Sequence, residues 1–159
     1  MIKLFHGSHV QFDTIDLSKG RPYKDFGKGF YLTDLESQAK QMAQRVSIIY
    51  GGEPCVQTYS FDLQLAKNDE ELKIKTFDYP SEEWALFVMS NRNRKVPHPT
   101  HYFDIVIGPV ADDEIATLFR NFEKQLINLD QLVQGLKYKH ISSQYLFHTE
   151  RSLKYLKKL

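Results

Sequence analysis

Apolar and polar positions follow two different periods along the chain, and each period predicts its own kind of element. The clearest alternation runs from residue 55 to residue 65, where Tyr59, Phe61 and Leu63 share one face with polar side chains between them. A period of two is typical of a half-buried strand. Apolar or alternating runs predict strands over residues 2–5, 29–32, 55–65, 72–77, 103–108 and 141–147.

A period near 3.6 residues appears between these runs and predicts helices. The apolar stripe of the first helix consists of Leu35, Ala39, Met42, Ala43, Val46 and Ile49. Residues 51–54, Gly-Gly-Glu-Pro, end that helix because glycine and proline interrupt helical backbone. Each predicted helix follows a side chain able to cap its amino end. These caps are Thr33, Ser81, Asp112, Asp130 and Thr149, and the last helix is predicted to continue to Leu159.

The order of the elements predicts the fold class. Strands and helices are intermixed without a regular βαβα alternation, which favours an α+β fold with an antiparallel or mixed sheet. The length of 159 residues fits one domain spanning residues 1–159. The first strand is expected to end in a turn at His6-Gly7-Ser8, and residues 9–24 are expected to form a long loop.

Composition excludes several classes of protein. The net charge of +1 gives no footprint for nucleic acid or an anionic membrane. No run of apolar residues is long enough to span a bilayer, and the amino-terminal residues lack the apolar core of a signal peptide. A single cysteine, Cys55, allows neither an internal disulfide nor a cysteine-based zinc site, which fits a reducing cytoplasmic setting.

Common catalytic motifs are absent from the sequence. It contains no phosphate-binding G-x-x-x-x-G-K-[ST] loop, no dinucleotide fingerprint and no nucleophile elbow. His98 and His101 are three residues apart in a proline-rich loop but lack a clear third ligand, so no metal site is predicted. Cys55 lies within a strand pattern, where cysteine usually acts as a buried apolar residue.

Three short segments remain as candidates for chemistry: residues 6–8, residues 25–33 and residues 142–145. The second segment, Asp-Phe-Gly-Lys-Gly-Phe-Tyr-Leu-Thr, places two glycines and a lysine directly before an aromatic strand. Glycine there permits close approach of backbone to a ligand. Each segment also has an ordinary structural explanation: a turn histidine, a core tyrosine at position 31, and a hydrogen-bonded strand glutamine at position 144.

Taken together and in this order, the segments resemble the ADP-ribosyltransferase superfamily, in the branch organised around a His, a Tyr and a third polar residue. The matching pieces are His6-Gly7-Ser8, the Gly-Lys-Gly-aromatic-Tyr strand ending at Tyr31, and Ser143-Gln144-Tyr145. The whole chain also resembles a bacterial family of small proteins catalogued as a domain of unknown function. Members of that family look like toxins paired with small antitoxin proteins.

The resemblance implies a split, antiparallel or mixed sheet with flanking helices and a glycosyltransferase activity that consumes NAD⁺ without a metal. His6, Tyr31 and Gln144 would be catalytic: His6 holding a ribose hydroxyl, Tyr31 stacking on nicotinamide. The expected NAD⁺-binding residues are His6, Gly7, Ser8, Arg21, Gly29 and Tyr31. Lys28 is a second candidate for the pyrophosphate.

Gln144 departs from the glutamate that transferring members often carry. Its amide keeps the hydrogen bond but has no charge and cannot act as a general base. The leading hypothesis is that this chain mono-ADP-ribosylates an unidentified protein or nucleic acid. In one version of this hypothesis, this chain is the toxin of a toxin–antitoxin pair. Two alternatives stay open: NAD⁺ hydrolysis, and a non-catalytic module that binds NAD⁺, ADP-ribose or a protein partner.

Overall fold

The computed structural model describes residues 1–137 and 142–159. Within them seven strands form one sheet: β1 Ile2–Ser8, β2 Phe30–Thr33, β3 Cys55–Phe61, β4 Ile74–Thr76, β5 Ile105–Pro109, β6 Ser143–Phe147 and β7 Leu156–Lys158. The helices are α1 Glu36–Tyr50, α2 Leu63–Lys67, α3 Glu82–Arg92, α4 Asp113–Glu123, α5 Leu129–Leu136 and α6 Glu150–Leu153. A single 3₁₀ turn, Leu17–Lys19, interrupts the loop between β1 and β2.

The sheet is mixed and its strand order is β4-β5-β6-β2-β1-β3-β7. β4 and β5 are parallel, whereas every other neighbouring pair is antiparallel. The predicted α+β class is therefore confirmed. β6, β2 and β1, which carry the three predicted catalytic residues, are consecutive strands of this sheet.

Each face of the sheet packs on its own apolar cluster. One cluster includes Leu4, Phe30, Tyr59 and Phe61. The other lies beneath α3, α4 and α5 and is centred on the fully buried Trp84. Because side chains alternate along a strand, neighbouring residues of β1, β2 and β6 point to opposite clusters.

The first two strands pair over a very short length. β1 has seven residues and β2 has four, but the described ladder between them consists of one pair, Phe5 with Thr33. β1 instead pairs along its whole length with β3, from Ile2–Phe61 to Ser8–Cys55. Beyond the Phe5–Thr33 pair, residues 6–8 and residues 30–32 therefore run side by side without a ladder.

Several element boundaries differ from the sequence-based predictions. His6 and Gly7 lie inside β1 rather than in a turn, because β3 supplies a partner for each of them. The strand predicted to reach residue 65 ends at Phe61, and α2 begins at Leu63 with Asp62 as its cap. Thr33 belongs to β2, and α1 begins at Glu36 without a side-chain cap.

The carboxyl-terminal third also differs. Asn128, not Asp130, caps α5, through a reciprocal capping box with Gln131. The predicted last helix is only the four-residue α6, after which the chain forms β7 along β3. The first position of the predicted strand 141–147 lies outside the described residues, and β6 begins at Ser143. In the described part of the chain, no helix combines the length and hydropathy needed to cross a bilayer.

Helix α1 packs on the sheet through small residues. Only Ala39 and Ala43 of its predicted stripe are buried, whereas Leu35, Met42 and Ile49 are exposed. The cause is a close approach of backbone to backbone: a Cβ added to Gly7 would lie 2.0 Å from the Ala39 carbonyl oxygen. Larger residues on this helix face would hold α1 away from β1.

Candidate functional site

The opening between β1 and β2, which we call the wedge, is bounded by residues 6–8 of one strand and residues 30–32 of the other. Its apex is the Phe5–Thr33 pair, and its mouth lies at the end of the sheet where Gly29 leads into β2. The imidazole Nδ1 of His6 donates to the Tyr31 carbonyl oxygen at 2.7 Å across the wedge. A side chain thus makes a connection where a regular ladder would use backbone.

The environment of His6 disfavours the charged imidazole and defines the tautomer of the neutral one. A carbonyl oxygen only accepts, so Nδ1 carries the proton and Nε2 presents a lone pair. Burial lowers the pKa of His6, while the bond to the Tyr31 carbonyl raises it to a smaller extent. The ring lies 4.3 Å from the Phe30 ring and 5.7 Å from the Phe12 ring. His6 can therefore accept a hydrogen bond from a ligand hydroxyl.

The three predicted catalytic residues occupy adjacent strands but not one face of the sheet. Phe5, Thr33 and Gln144 are paired across β1, β2 and β6 and so share a face. Tyr31 lies two residues from Thr33 and points to that same face. His6, one residue from Phe5, points to the other. The two side chains therefore lie on opposite faces of the sheet on either side of the wedge.

The hydroxyl of Tyr31 is fixed by two hydrogen bonds to backbone. It accepts from the Phe26 backbone N–H at 3.0 Å and donates to the Gly27 carbonyl at 2.5 Å. Burial raises the pKa of Tyr31 well above its ordinary value, so the phenol remains protonated. Gly27 has a φ of +91°, a conformation that side chains disfavour, which explains a glycine at this position.

Gln144 is held by a charged neighbour. Its Nε2 donates to Asp25 Oδ2 at 2.9 Å and to the Pro109 carbonyl at 3.2 Å. Asp25 also forms an ion pair with Arg92, whose Nε and Nη2 lie 2.8 and 2.5 Å from Oδ1. The Ala111 N–H approaches Asp25 Oδ2 at 3.3 Å. The amino end of the Gly-rich segment is thereby tied to β5, β6 and α3.

Gly7 and Gly29 are glycines for packing reasons. α1 covers Gly7 on the face that carries Tyr31, so only its edge towards β2 faces the wedge. A Cβ on Gly29 would lie 2.5 Å from both a Leu146 methyl group and the Phe147 carbonyl. Ser8 is buried and its hydroxyl accepts from the Val10 N–H. These three residues shape the wedge but do not by themselves indicate a ligand.

Arg21 lies near the mouth of the wedge. A Cβ on the preceding Gly20 would be 2.9 Å from the Gly29 carbonyl, so the two backbones touch. The Arg21 guanidinium stacks over the Tyr50 ring at 3.9 Å and hydrogen-bonds its hydroxyl. Burial, followed by the charge of the neighbouring Arg21, lowers the pKa of Lys24.

A cavity of about 240 Å³ lies on the other side of the Gly-rich segment. Its lining includes Gly27, Lys28, His98, His101 and His148. Each of the three histidines directs one ring nitrogen to a backbone carbonyl oxygen. Among the described residues no cluster of three or more His, Cys, Asp or Glu side chains is arranged to hold a metal ion.

Sequence reasoning missed the partners of Gln144. Asp25 was part of the Gly-rich segment, but its position relative to Gln144 depends on contacts more than 100 residues apart along the chain. Arg92 lies in the last turn of α3, where a cation already has a local explanation in the helix dipole. The available signal was the acidic residue directly before Phe-Gly-Lys-Gly, together with the absence of a carboxylate at position 144.

Comparison with known proteins identifies a family without assigning an activity. No curated protein and no solved structure matches the chain. Residues 2–158, nearly the entire length, match a family described as a protein of unknown function, DUF3990. Because the match covers almost all of the sequence given, the chain belongs to the DUF3990 family.

Proposed function

We propose that this protein is a mono-ADP-ribosyltransferase that cleaves NAD⁺ and transfers ADP-ribose to a macromolecule. The observation that carries the proposal is the position of His6 in the wedge, where Nδ1 is bound to the Tyr31 carbonyl, so that Nε2 of the neutral ring is the remaining acceptor. An acceptor of this kind suits a ribose hydroxyl. Position and tautomer together fit His6 to the role that the sequence resemblance implies.

The wedge suits the nicotinamide end of NAD⁺ for a second reason. Two strand edges that diverge inside a sheet present backbone N–H and C=O groups to whatever lies between them. A carboxamide supplies both donors and an acceptor and can complement such an edge. The ring beyond the carboxamide would meet side chains from both faces, with Tyr31 held in place by its two backbone hydrogen bonds. A fixed aromatic side chain orients a flat ligand at low entropic cost.

Cations at the mouth of the wedge support an anionic substrate. After burial, the charge of Arg21 is the largest cause that lowers the pKa of Lys24. The exposed Lys28 follows in the Gly-rich segment, where it lines the neighbouring cavity. A pyrophosphate would relieve the repulsion between these cations and form charge-assisted hydrogen bonds. Arg21 would have to leave the Tyr50 ring to take part, which requires a rotamer change of an exposed side chain.

The proposed reaction exchanges one bond at the ribose for another. The bond between C1′ and the nicotinamide nitrogen breaks, and its electron pair leaves with the ring, which becomes neutral nicotinamide. The acceptor forms the new bond to C1′ and loses its proton to a base or to water. The transition state has oxocarbenium character, so hydrogen bonds that fix the ribose would lower the barrier.

Asp25 limits what the site can do. The carboxylate accepts from four N–H donors, two on Arg92, one on the Ala111 backbone and one on Gln144, so its lone pairs are already engaged. It is therefore unsuited to removing a proton from the acceptor. We propose that the acceptor is itself a good nucleophile, and that polymer formation is outside the activity of this protein.

The same observation favours a second candidate, a module that binds NAD⁺ or ADP-ribose without turnover. Gln144 is uncharged and Asp25 is fully engaged, so this pair could bind a ribose without activating a nucleophile. For the transferase and for the binding module alike, we propose a cytoplasmic location and a small antitoxin protein as partner. Both rest on the sequence alone.

The decisive experiment incubates the purified protein with adenine-labelled NAD⁺, with and without cell lysate. A transferase releases nicotinamide and leaves label on a macromolecule that is stable to denaturing electrophoresis. Free ADP-ribose without macromolecular label would indicate hydrolysis, and binding without nicotinamide release would indicate the module. His6→Ala should abolish release, whereas His98→Ala, at an exposed loop histidine, should retain it. Absence of both binding and release would refute the proposal.

A further inference from the structure

Asp25 and Gln144 form the most strongly constrained polar pair beside the wedge. The Asp25 side chain is 12% exposed and its carboxylate is shared between an arginine, a backbone N–H and the Gln144 amide. Every contact to this carboxylate is an N–H donor, and the donor on Arg92 carries the opposite charge. The negative charge at this site therefore lies on the Gly-rich segment, and the strand carries the neutral amide.

The contacts of Gln144 determine which way its amide faces. The oxygen and nitrogen of an amide are often hard to distinguish, but both neighbours here, a carboxylate and the Pro109 carbonyl, can only accept. Nε2 must therefore face them, and Oε1 must face away. Among residues 1–137 and 142–159, no donor is placed on Oε1. The Gln144 amide thus presents Oε1 as an oriented acceptor, while its donor Nε2 is already bound to Asp25 and Pro109.

We infer that Asp25 is a positioning residue that holds Gln144 with Oε1 presented to the ribose of the substrate. This inference rests on the proposed function. Asp25 does not touch the substrate; it fixes the amide rotamer and polarises the amide through a charge-assisted hydrogen bond. Without Asp25, only the Pro109 carbonyl at 3.2 Å would hold the Gln144 amide, and Oε1 would be oriented less strictly.

The pair also explains why glutamate is absent from position 144. The carboxylate introduced by Gln144→Glu would lie about 3 Å from the Asp25 carboxylate and from the Pro109 carbonyl, with no donor between them. One of the two carboxyl groups would have to be protonated, or the strand end would have to move. Gln144→Glu should therefore lose activity and stability rather than gain transferase chemistry.

A purely structural explanation exists for Asp25, and it is separable by mutation. Asp25 could serve only as the anchor of Arg92, tying α3 to the Gly-rich segment. Arg92→Gln removes that ion pair but leaves the Asp25–Gln144 bond in place. Asp25→Asn keeps the shape of the side chain, yet its single acceptor oxygen cannot serve both Arg92 and Gln144.

The experiment measures nicotinamide release and urea unfolding for the wild type and four variants: Asp25→Asn, Arg92→Gln, Gln144→Glu and Asp25→Asn/Gln144→Glu. We expect Asp25→Asn to lower kcat by about ten- to a hundredfold with little change in KM, as for other losses of orientation. Arg92→Gln should lower the unfolding midpoint but keep kcat within about twofold of the wild type. Equal losses of kcat in these two variants would reduce Asp25 to an anchor and overturn the inference.

The reciprocal variant supplies a readout that needs no activity. Gln144→Glu should lower the unfolding midpoint, and adding Asp25→Asn should restore part of it, because the new asparagine amide can donate to the new carboxylate. Restoration is partial because the Pro109 carbonyl still faces a carboxylate. Strict additivity of the two substitutions would overturn the pairing even if NAD⁺ turnover were confirmed. Failure of the wild type to bind or cleave NAD⁺, with the coupling intact, would instead refute the substrate role and the proposed function.

Discussion

His6 and Tyr31 are joined across a gap in the sheet: the imidazole Nδ1 donates to the Tyr31 backbone carbonyl at 2.7 Å. The two strands have separated one residue earlier, after the Phe5–Thr33 pair. This hydrogen bond fixes the rotamer of His6 and places a proton on Nδ1, while burial disfavours the charged ring. Because burial lowers its pKa, this constraint has a consequence for the pH dependence of stability.

Stability should fall as the pH falls below the ordinary histidine pKa of 6.5. A lowered folded-state pKa means that the unfolded chain binds the proton first as the pH falls. The free energy of unfolding therefore rises with pH between the folded-state pKa and the ordinary pKa, and the full contribution of His6 is present above the ordinary pKa. The slope from one histidine cannot exceed about 1.4 kcal/mol per pH unit. Urea unfolding over a series of pH values on either side of that pKa measures it.

Two substitutions assign this slope to particular residues. His6→Asn keeps a donor near the Tyr31 carbonyl but cannot titrate, so it should flatten the curve. His101→Asn should flatten it further, since burial also lowers the pKa of that histidine, opposed by its bond to the Phe26 carbonyl. A wild-type curve that stays flat below the ordinary histidine pKa would show that neither imidazole is held neutral.

The hydroxyl and the ring of Tyr31 should have different roles: the hydroxyl stabilises the fold, and the ring contacts the ligand. Tyr31→Phe leaves the Phe26 N–H and the Gly27 carbonyl without their partner, which should cost about 1–3 kcal/mol of unfolding free energy. The ring remains, so NAD⁺ affinity should change little. Tyr31→Ala should lose the stacking surface and weaken NAD⁺ binding by about tenfold or more.

Calorimetric titration with NAD⁺ and urea unfolding of both Tyr31 variants give the two quantities. Tyr145→Phe is the matched control, because it removes a tyrosine hydroxyl from the opposite face of the neighbouring strand. Equal NAD⁺ affinity for wild type and Tyr31→Ala would remove Tyr31 from the binding site.

Local periodicity was sufficient for most elements, and long-range pairing explains where it failed. Ser81 and Asp112 cap α3 and α4 as predicted, since a cap depends only on the next three residues. Thr33 had the same local pattern, but β6 pairs with it and its hydroxyl bonds Gln38 and the Ser143 carbonyl. β7 is a strand only because β3 provides an edge for residues 156–158.

The residues of the candidate site were proposed from sequence, and their functional role stays a prediction, whereas their geometry could not be predicted. Sequence reasoning named His6, Tyr31 and Gln144, and the structure places them on three consecutive strands. The face that each residue occupies follows from register, which a single sequence does not reveal. The end of the β1–β2 ladder and the bond from Gln144 to Asp25 likewise depend on tertiary packing.

Gly7→Ala should be among the most destabilising single-methyl additions in this protein. The new Cβ would meet the Ala39 carbonyl and the Ala43 N–H of α1, which are backbone atoms that cannot rotate away. Overpacking of this kind costs about 1–3 kcal/mol or more. Gly135→Ala, whose Cβ would meet only the movable side chain of Leu118, should change stability by about 1 kcal/mol or less.

Thermal unfolding of the two alanine variants gives the comparison directly. Equal stability of Gly7→Ala and the wild type would show that α1 can move away from β1. The Gly7 position would then be open on that face, and a ligand could approach it from there.

Asp104 should be the carboxylate whose loss most weakens the carboxyl-terminal segment. Its side chain is fully buried, and it accepts from both Nε and Nη2 of Arg151, from the Thr149 hydroxyl and from the Lys73 N–H. Burial acts to raise the pKa of Asp104, but the Arg151 and other hydrogen bonds outweigh it and lower the pKa. Its contribution to stability is thus present above the ordinary value of 3.8 and is lost as the pH falls further.

Asp104→Asn should therefore destabilise the protein by about 1–3 kcal/mol at neutral pH, because the Lys73 and Thr149 donors lose a charged acceptor. The cost is limited because the half-exposed Arg151 side chain can be solvated by water instead. Glu83→Gln, which removes the exposed ion pair with Lys75, is the matched control and should cost less than about 1 kcal/mol. Hydrogen exchange should show faster opening of residues 149–158 in the Asp104 variant, because α6 and β7 follow directly from these bonds. Equal unfolding free energies for the two variants would mean that the sheet, through the β3–β7 pairing, holds this segment without Asp104.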